Sequence, residues 1–262
     1  MNPRVAALAQ LVEHRFRKAG VRCSSHLSGT ILSCHLRAFG GLFSVVLPPF
    51  EDRNPAMPMT EIFENVQGLI ESFEVKLKTF SGEGVDEVVS RLHAQDRSAT
   101  SVVVPEPKSL PVLNHLDSCL EEAARFDAPI ERAISVLRPH LQWLQSKAYN
   151  DALLGTGFIE NYGWCEIIGP RGFFPGDDFL LGLLMLGPNQ HYRDHFHPAP
   201  ELYWPLTSET EWRKGEESLT PKPCGSVIWH RPNVIHATRT GAAPLLTFWS
   251  WTRDTATPAR LV

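Results

Sequence analysis

The sequence predicts an α+β protein: a mainly helical region over residues 1–150, then a small β-barrel over residues 151–262. Three observations carry that prediction. Before residue 150, apolar residues recur at three- and four-residue steps, the period that gathers side chains on one helix face. After residue 155, short apolar runs alternate with Gly and Pro, as in WCEIIGPRG, FLLGLLMLGPNQ, ELYWPLT, GSVIWHRPN and PLLTFWSW. Short strands punctuated by turn signals every ~8–12 residues indicate a sandwich or barrel. Six of the seven tryptophans also lie in this second half.

The elements follow in order. MNPRVAALAQLVEHRFRKAG reads as an amphipathic helix, because Glu13, His14, Arg15 and Arg17 interrupt its apolar positions. That interruption argues against a signal peptide. Residues 22–50 are ambiguous, since ILSCHL and LFSVVL are short β-prone runs. A helix is expected from Ile62 to Leu77, and Arg97 to Pro111 reads as a proline-rich linker. Val112, Leu113, Leu116, Leu120 and Ala123 form a second stripe, and Ile130, Ile134, Leu137, Leu141, Leu144 and Ala148 a third. Asp127 suits the N-cap of that third helix, with Pro129 tolerated in its first turn.

Composition narrows the class of function. With 262 residues, 43% hydrophobic and 21% charged, the chain can bury a sizeable core. A net charge of −4 offers no electrostatic case for nucleic acid. No window approaches the roughly 20 apolar residues of a membrane helix. The five cysteines (Cys23, Cys34, Cys119, Cys165 and Cys224) are scattered and include no C-x-x-C pair. Neither a disulfide framework nor a cysteine zinc site is expected, and a reduced, cytoplasmic setting is. Cys165 and Cys224 read as small core residues.

Chemistry concentrates in YRDHFHPAPELYW, residues 192–204. On a strand, His195 and His197 project from one face. Pro198 and Pro200 then break regular pairing and let Glu201 bend back toward that face. Two imidazoles and a carboxylate suit a divalent first-row metal. A second segment, from Gly225 through Pro232 to His236, reads as strand, turn, strand, and offers His236 as a fourth ligand. His191 and His230 fall off this spacing.

The pattern H-x-H-x-x-x-E followed by G…P…H resembles the two-motif signature of the cupin superfamily. Cupins are small barrels, described as a double-stranded β-helix or jelly roll, that hold one metal. The glycine that cupins often place downstream of the glutamate is absent. Tyr192-x-x-His195-x-His197-x-x-x-Glu201-x-Tyr203, with His236 in a W-H-x-P-x-x-x-H-A setting, is similar to the bacterial cupin-type dimethylsulfoniopropionate (DMSP) lyases. YGWCEIIGPRG, PELYWPLT and PLLTFWSW resemble that family's strands, and RPHLQWLQSKAY its lead-in helix. The resemblance covers residues 110–255.

It implies a carbon–sulfur lyase that splits DMSP, a small sulfonium carboxylate, into dimethyl sulfide and acrylate. One divalent iron, zinc or manganese ion would sit on His195, His197, Glu201 and His236. Tyr203 is the expected base, with Tyr192 a second candidate or a substrate-orienting hydroxyl. Trp164, Trp229 and Trp249 are candidates to face the sulfonium cation, which aromatic rings attract. Other readings stay open. The same ligands could serve a cupin oxygenase or isomerase acting on another small carboxylate. A ligand-sensing regulator would need a basic recognition helix, and residues 60–95 are instead rich in Glu and Asp. The N-terminal helices are expected to cover one side of the barrel or to build a homodimer interface.

Overall fold

The computed structural model describes residues 57–208 and 210–262, together with the backbone of three strands between residues 22 and 46. The helix expected over residues 1–20 lies outside the described residues. The chain divides into two compact units, Met1–Met57 and Pro58–Val262. In the first, β1 (Arg22–Ser28), β2 (Ile31–Ala38) and β3 (Gly41–Val46) form an antiparallel sheet in sequence order. The run ILSCHL and residues 42–46 of LFSVVL thus fall on strands, with registers that reach Ser28↔Ile31 and Ala38↔Gly41.

The second unit opens with helices. In α1 (Met59–Leu77), Ile62, Val66, Leu69, Ile70, Phe73 and Leu77 form one buried stripe. α2 (Val85–His93) was not singled out from its sequence; it buries Val85, Val88 and Leu92. Gly84 precedes it at φ 90°, and a Cβ there would stand 2.2 Å from the Trp229 ring, so only glycine fits. α3 (Leu116–Phe126) carries Leu116, Leu120 and Ala123 of the second predicted stripe, whose Val112 and Leu113 fall in a 3₁₀ turn just before it (Pro111–His115). α4 (Ala128–Leu137) starts as predicted, with the Asp127 carboxylate accepting the Ile130 N–H at 3.1 Å.

α4 stops sooner than its apolar period suggests. Pro139 has no N–H to continue the ladder, and Arg138–His140 is a single 3₁₀ turn. Leu141 and Leu144 therefore belong to an extended segment. It bridges Gln142 to Lys108 and Leu144 to Trp164. The stretch RPHLQWLQSKAY is accordingly a strap along the barrel rather than a helix, and its apolar residues bury without helical geometry.

After a one-turn helix, α5 (Asp151–Leu154), come the strands. β4 (Tyr162–Ile168), β5 (Leu180–Leu186), β7 (Glu201–Pro205), β10 (Ile228–His230) and β12 (Leu245–Trp251) form one sheet, ordered β10-β7-β12-β5-β4. β6 (His191–Phe196), β8 (Thr210–Lys214), β9 (Thr220–Lys222), β11 (His236–Thr240) and β13 (Arg260–Leu261) form the other, ordered β13-β6-β11-β8-β9. Among the described residues the strands of both sheets pair antiparallel, and the architecture is α+β with a cupin-type barrel. No helix among the described residues is long and apolar enough to cross a membrane.

The helices cover the outer face of the first sheet. Trp204 is fully buried there, its ring 5.6 Å from Phe73, 5.7 Å from Phe80, 5.6 Å from Phe126 and 5.9 Å from Phe248. Its indole N–H donates to the Gly225 carbonyl at 3.1 Å. Such aromatic pairs add ~0.5–1.5 kcal/mol each beyond their burial. Trp204→Ala is expected to destabilise the fold by about 3–5 kcal/mol in a denaturant titration.

Candidate metal and substrate site

The alternation of strand side chains decides what enters the barrel. On β7, Leu202 and Trp204 face the helices, so Glu201 and Tyr203 face inward. Pairing with β12 sets Tyr203 opposite Trp249 and Glu201 opposite Trp251, extending the same inward row. On the other sheet, β6 and β11 pair with His195 directly opposite His236, beside a register shift that follows His236. The segment with Pro198 and Pro200 does more than bend the chain. It carries the chain from one sheet to the other, so Glu201 meets the histidines across the barrel interior.

Glu201 Oε2 lies 3.0 Å from His197 Nε2 and 3.2 Å from His236 Nε2, and Oε1 accepts the Trp251 indole N–H at 2.7 Å. Donor atoms of His197, Glu201 and His236 all lie within 4.8 Å of one another, and all three residues are buried. His195 stands beside this trio, its ring 4.1 Å from that of His236 and stacked on Tyr192 at 3.9 Å.

Each histidine is held in one tautomer. His195 Nδ1 donates to the Arg193 carbonyl, His197 Nδ1 to Ala199 and His236 Nδ1 to Val234, every one at 2.8 Å. A carbonyl can only accept, so each Nδ1 carries hydrogen and each neutral ring keeps a lone pair on Nε2. His197 Nε2 is in hydrogen-bond contact with the carboxylate at 3.0 Å, so with Nδ1 already donating, that contact needs either a second proton on the ring or a cation between the two. His236 Nε2, although 3.2 Å from that oxygen, is not aligned to donate to it. Acceptors gathered this closely out of water call for a cation between them, and the set fits a divalent transition metal.

Burial opposes ionisation of Glu201, yet positive charge and hydrogen bonding from the side of His197 and His236 hold its carboxyl well below the usual range, the part that a cation between them would take over. Burial, with His236 nearby, depresses the pKa of His195, and burial with His236 does the same to His230. Burial and then the Glu201 charge push the Tyr203 hydroxyl well above its ordinary value. Burial raises Cys165 to about 12, in keeping with a core residue.

A cavity of about 940 Å³ opens beside the trio. All four tyrosines of the chain line it: Tyr149, Tyr162, Tyr192 and Tyr203. Trp164, Trp249 and Trp251 form an aromatic wall, with Trp164 and Trp249 edge to face at 5.9 Å. Trp229 is not on this wall. It is paired with Leu202 on the outward face of its sheet and packs on Gly84, because β10 alternates in step with β7. His230, its neighbour, turns inward instead, stacked on His236 at 4.1 Å with neither ring nitrogen partnered. Sequence spacing sets His230 off the ligand set, at the surface or supporting a ligand, and the structure buries it against His236. Tyr149 and Tyr162 were passed over, although their rarity in the chain was a usable signal.

Fold and site together define a cupin-type barrel with a buried histidine–carboxylate centre. The profile of the dimethylsulfoniopropionate lyase family matches residues 84–247, and the chain belongs to that family. DddL of Cereibacter sphaeroides is 27% identical over 148 residues, 56% of this chain and 61% of that protein. The DMSP lyase DddQ of Ruegeria pomeroyi is 29% identical over 110 residues, 42% of this chain and 54% of that one. The chain thus matches less than two thirds of either relative's length. A chain from the crystal structures of the DMSP lyases RdDddP and RnDddQII superposes with a TM-score of 0.60 at 23% identity, covering 76% of this chain and 98% of its own. The crystal structure of R. pomeroyi DddQ gives 0.57 at 21%, covering 76% and 96%.

Removing the N–H that steadies Glu201, by Trp251→Phe, is expected to weaken divalent-ion binding about 10–100-fold in competition titrations. Stability of the metal-free protein should fall on acidification. His195 and His230 have folded pKa values below the 6.5 of the unfolded chain, so below that pH the unfolded state binds more protons. The melting temperature should drop progressively between about pH 7 and pH 5.

Proposed function

We propose that this protein is a metal-dependent lyase that cleaves DMSP to dimethyl sulfide and acrylate by β-elimination. The observation that supports this most is the inward placement of Tyr203, immediately beyond the buried Glu201, in a cavity walled by Trp164, Trp249 and Trp251. His197, Glu201 and His236, with His195 beside them, would hold one iron, zinc or manganese ion. When bound, that ion supplies positive charge that draws electron density from the substrate carboxylate and favours ionisation of the nearby phenol.

The residues of the chain do the rest. Tyr203, as phenolate, takes the proton on the carbon next to the carboxylate. The C–H electron pair becomes the new C=C bond, and the C–S pair leaves with dimethyl sulfide. Tyr192 orients the substrate through its hydroxyl. The indole faces of Trp164 and Trp249 accept the sulfonium without a competing anion, at about 0.5–2 kcal/mol per ring. The apolar wall also excludes water from the reacting carbon.

Headspace gas chromatography tests the reading directly: protein loaded with Fe²⁺, Mn²⁺ or Zn²⁺ should release dimethyl sulfide from DMSP. No release with any of the three metals would overturn it. Tyr203→Phe should lower turnover by at least about 10²-fold with metal content unchanged. His197→Ala, by contrast, should lower metal content in elemental analysis.

A further inference from the structure

Tyr149 lies outside both sheets, on the strap that precedes the barrel, yet its hydroxyl is 2.8 Å from that of Tyr192. The surrounding backbone fixes it there. Leu144 and Trp164 exchange two backbone hydrogen bonds, at 2.7 and 3.0 Å. Gln145 Nε2 donates to the carbonyls of Ile159 and, at 2.8 Å, Tyr162. Asn150 caps the following turn by accepting from the Leu153 N–H at 3.0 Å, and the Asp151 carboxylate accepts from Gly157 and Ile159. The Tyr149 ring itself is buried against Tyr162 and Tyr192 at 5.9 and 5.7 Å.

Counting hydrogens shows what the arrangement offers. Two hydroxyls bring two hydrogens, and their mutual bond uses one. Tyr162 packs on Tyr192 with ring centroids 5.4 Å apart, and adding its hydroxyl to the chain changes nothing. An open chain of hydroxyls always has one O–H left over, strengthened because its oxygen already accepts. Tyr149 and Tyr192 both line the cavity, so the spare hydrogen has a ligand-sized space before it. A sulfonium group cannot accept that hydrogen; a carboxylate can.

We propose that Tyr149 is a positioning residue for substrate: it holds the Tyr192 hydroxyl so that the phenol pair donates one hydrogen bond to the carboxylate of a small ligand in the cavity. The identity of that ligand rests on the lyase reading; the role of the pair requires only a small carboxylate.

Acrylate serves as the probe, titrated calorimetrically into the metal-loaded full chain. Tyr149→Phe should weaken acrylate about two- to ten-fold, the worth of one neutral hydrogen bond, and raise the KM for DMSP by more than it lowers kcat. Tyr192→Phe should weaken acrylate at least as much. The double variant should match Tyr192→Phe alone, because Tyr149 acts through Tyr192. Asn150→Ala loosens the turn beside Tyr149 without touching a phenol, and covers the case in which Tyr149→Phe does not fold. It should weaken acrylate in the wild-type background and leave the Tyr192→Phe background unmoved. Wild-type affinity in Tyr149→Phe, fully additive losses, or no acrylate binding by the wild type would each overturn the proposal. Should the wild type bind acrylate in this pattern yet release no dimethyl sulfide, the lyase reading fails and the role of Tyr149 stands.

Discussion

Burying a carboxylate is costly unless opposite charge or hydrogen-bond donors meet it, and the barrel interior answers that demand at Glu201. Trp251 satisfies one oxygen. The other faces two imidazole nitrogens whose tautomers the Ala199 and Val234 carbonyls have already chosen. Those carbonyls belong to the loops that end β6 and begin β11, so the backbone itself turns both Nε2 atoms toward the carboxylate. A cation is the natural complement. Without one, the interior must hold protons that burial disfavours on His195 and His230.

That arrangement requires the chain to change sheets between His197 and Glu201. The H-x-H pair sits at the end of β6 in one sheet, and the glutamate opens β7 in the other. Prolines suit this crossing because they cannot take a central place in either ladder. The helices make the crossing rigid from outside. Phe73, Phe80 and Phe126 clamp Trp204, which fixes β7 three residues after Glu201. Precision at the site is thus partly borrowed from the helix layer.

Much of this was legible in the sequence, for identifiable reasons. Asp127 with Pro129 announced a helix start, since capping is local chemistry. Strands punctuated by Gly and Pro announce the barrel, and the two His- and Glu-bearing segments are those from which the structure brings His197, Glu201 and His236 together. What stayed hidden depends on pairing between distant residues. Leu141 and Leu144 continue a helical period, but Pro139 and the bridge to Trp164 decide otherwise. Trp229 turns to the helices and His230 to His236 because β10 takes its register from β7. Tyr149 reaches the cavity along a strap whose path no periodicity encodes.

The strict alternation of β7 has a practical reach. Glu201 and Tyr203 address the cavity, while Leu202 and Trp204 address the helices. Neighbouring residues therefore act on different things, one on packing against the helices and the other on the lining of the cavity. Variation on one face can accumulate with little effect on the other, provided the count of residues between Pro200 and Pro205 is preserved. An insertion or deletion there would exchange the two faces at once, and with them the distinction between what holds the barrel together and what it is for.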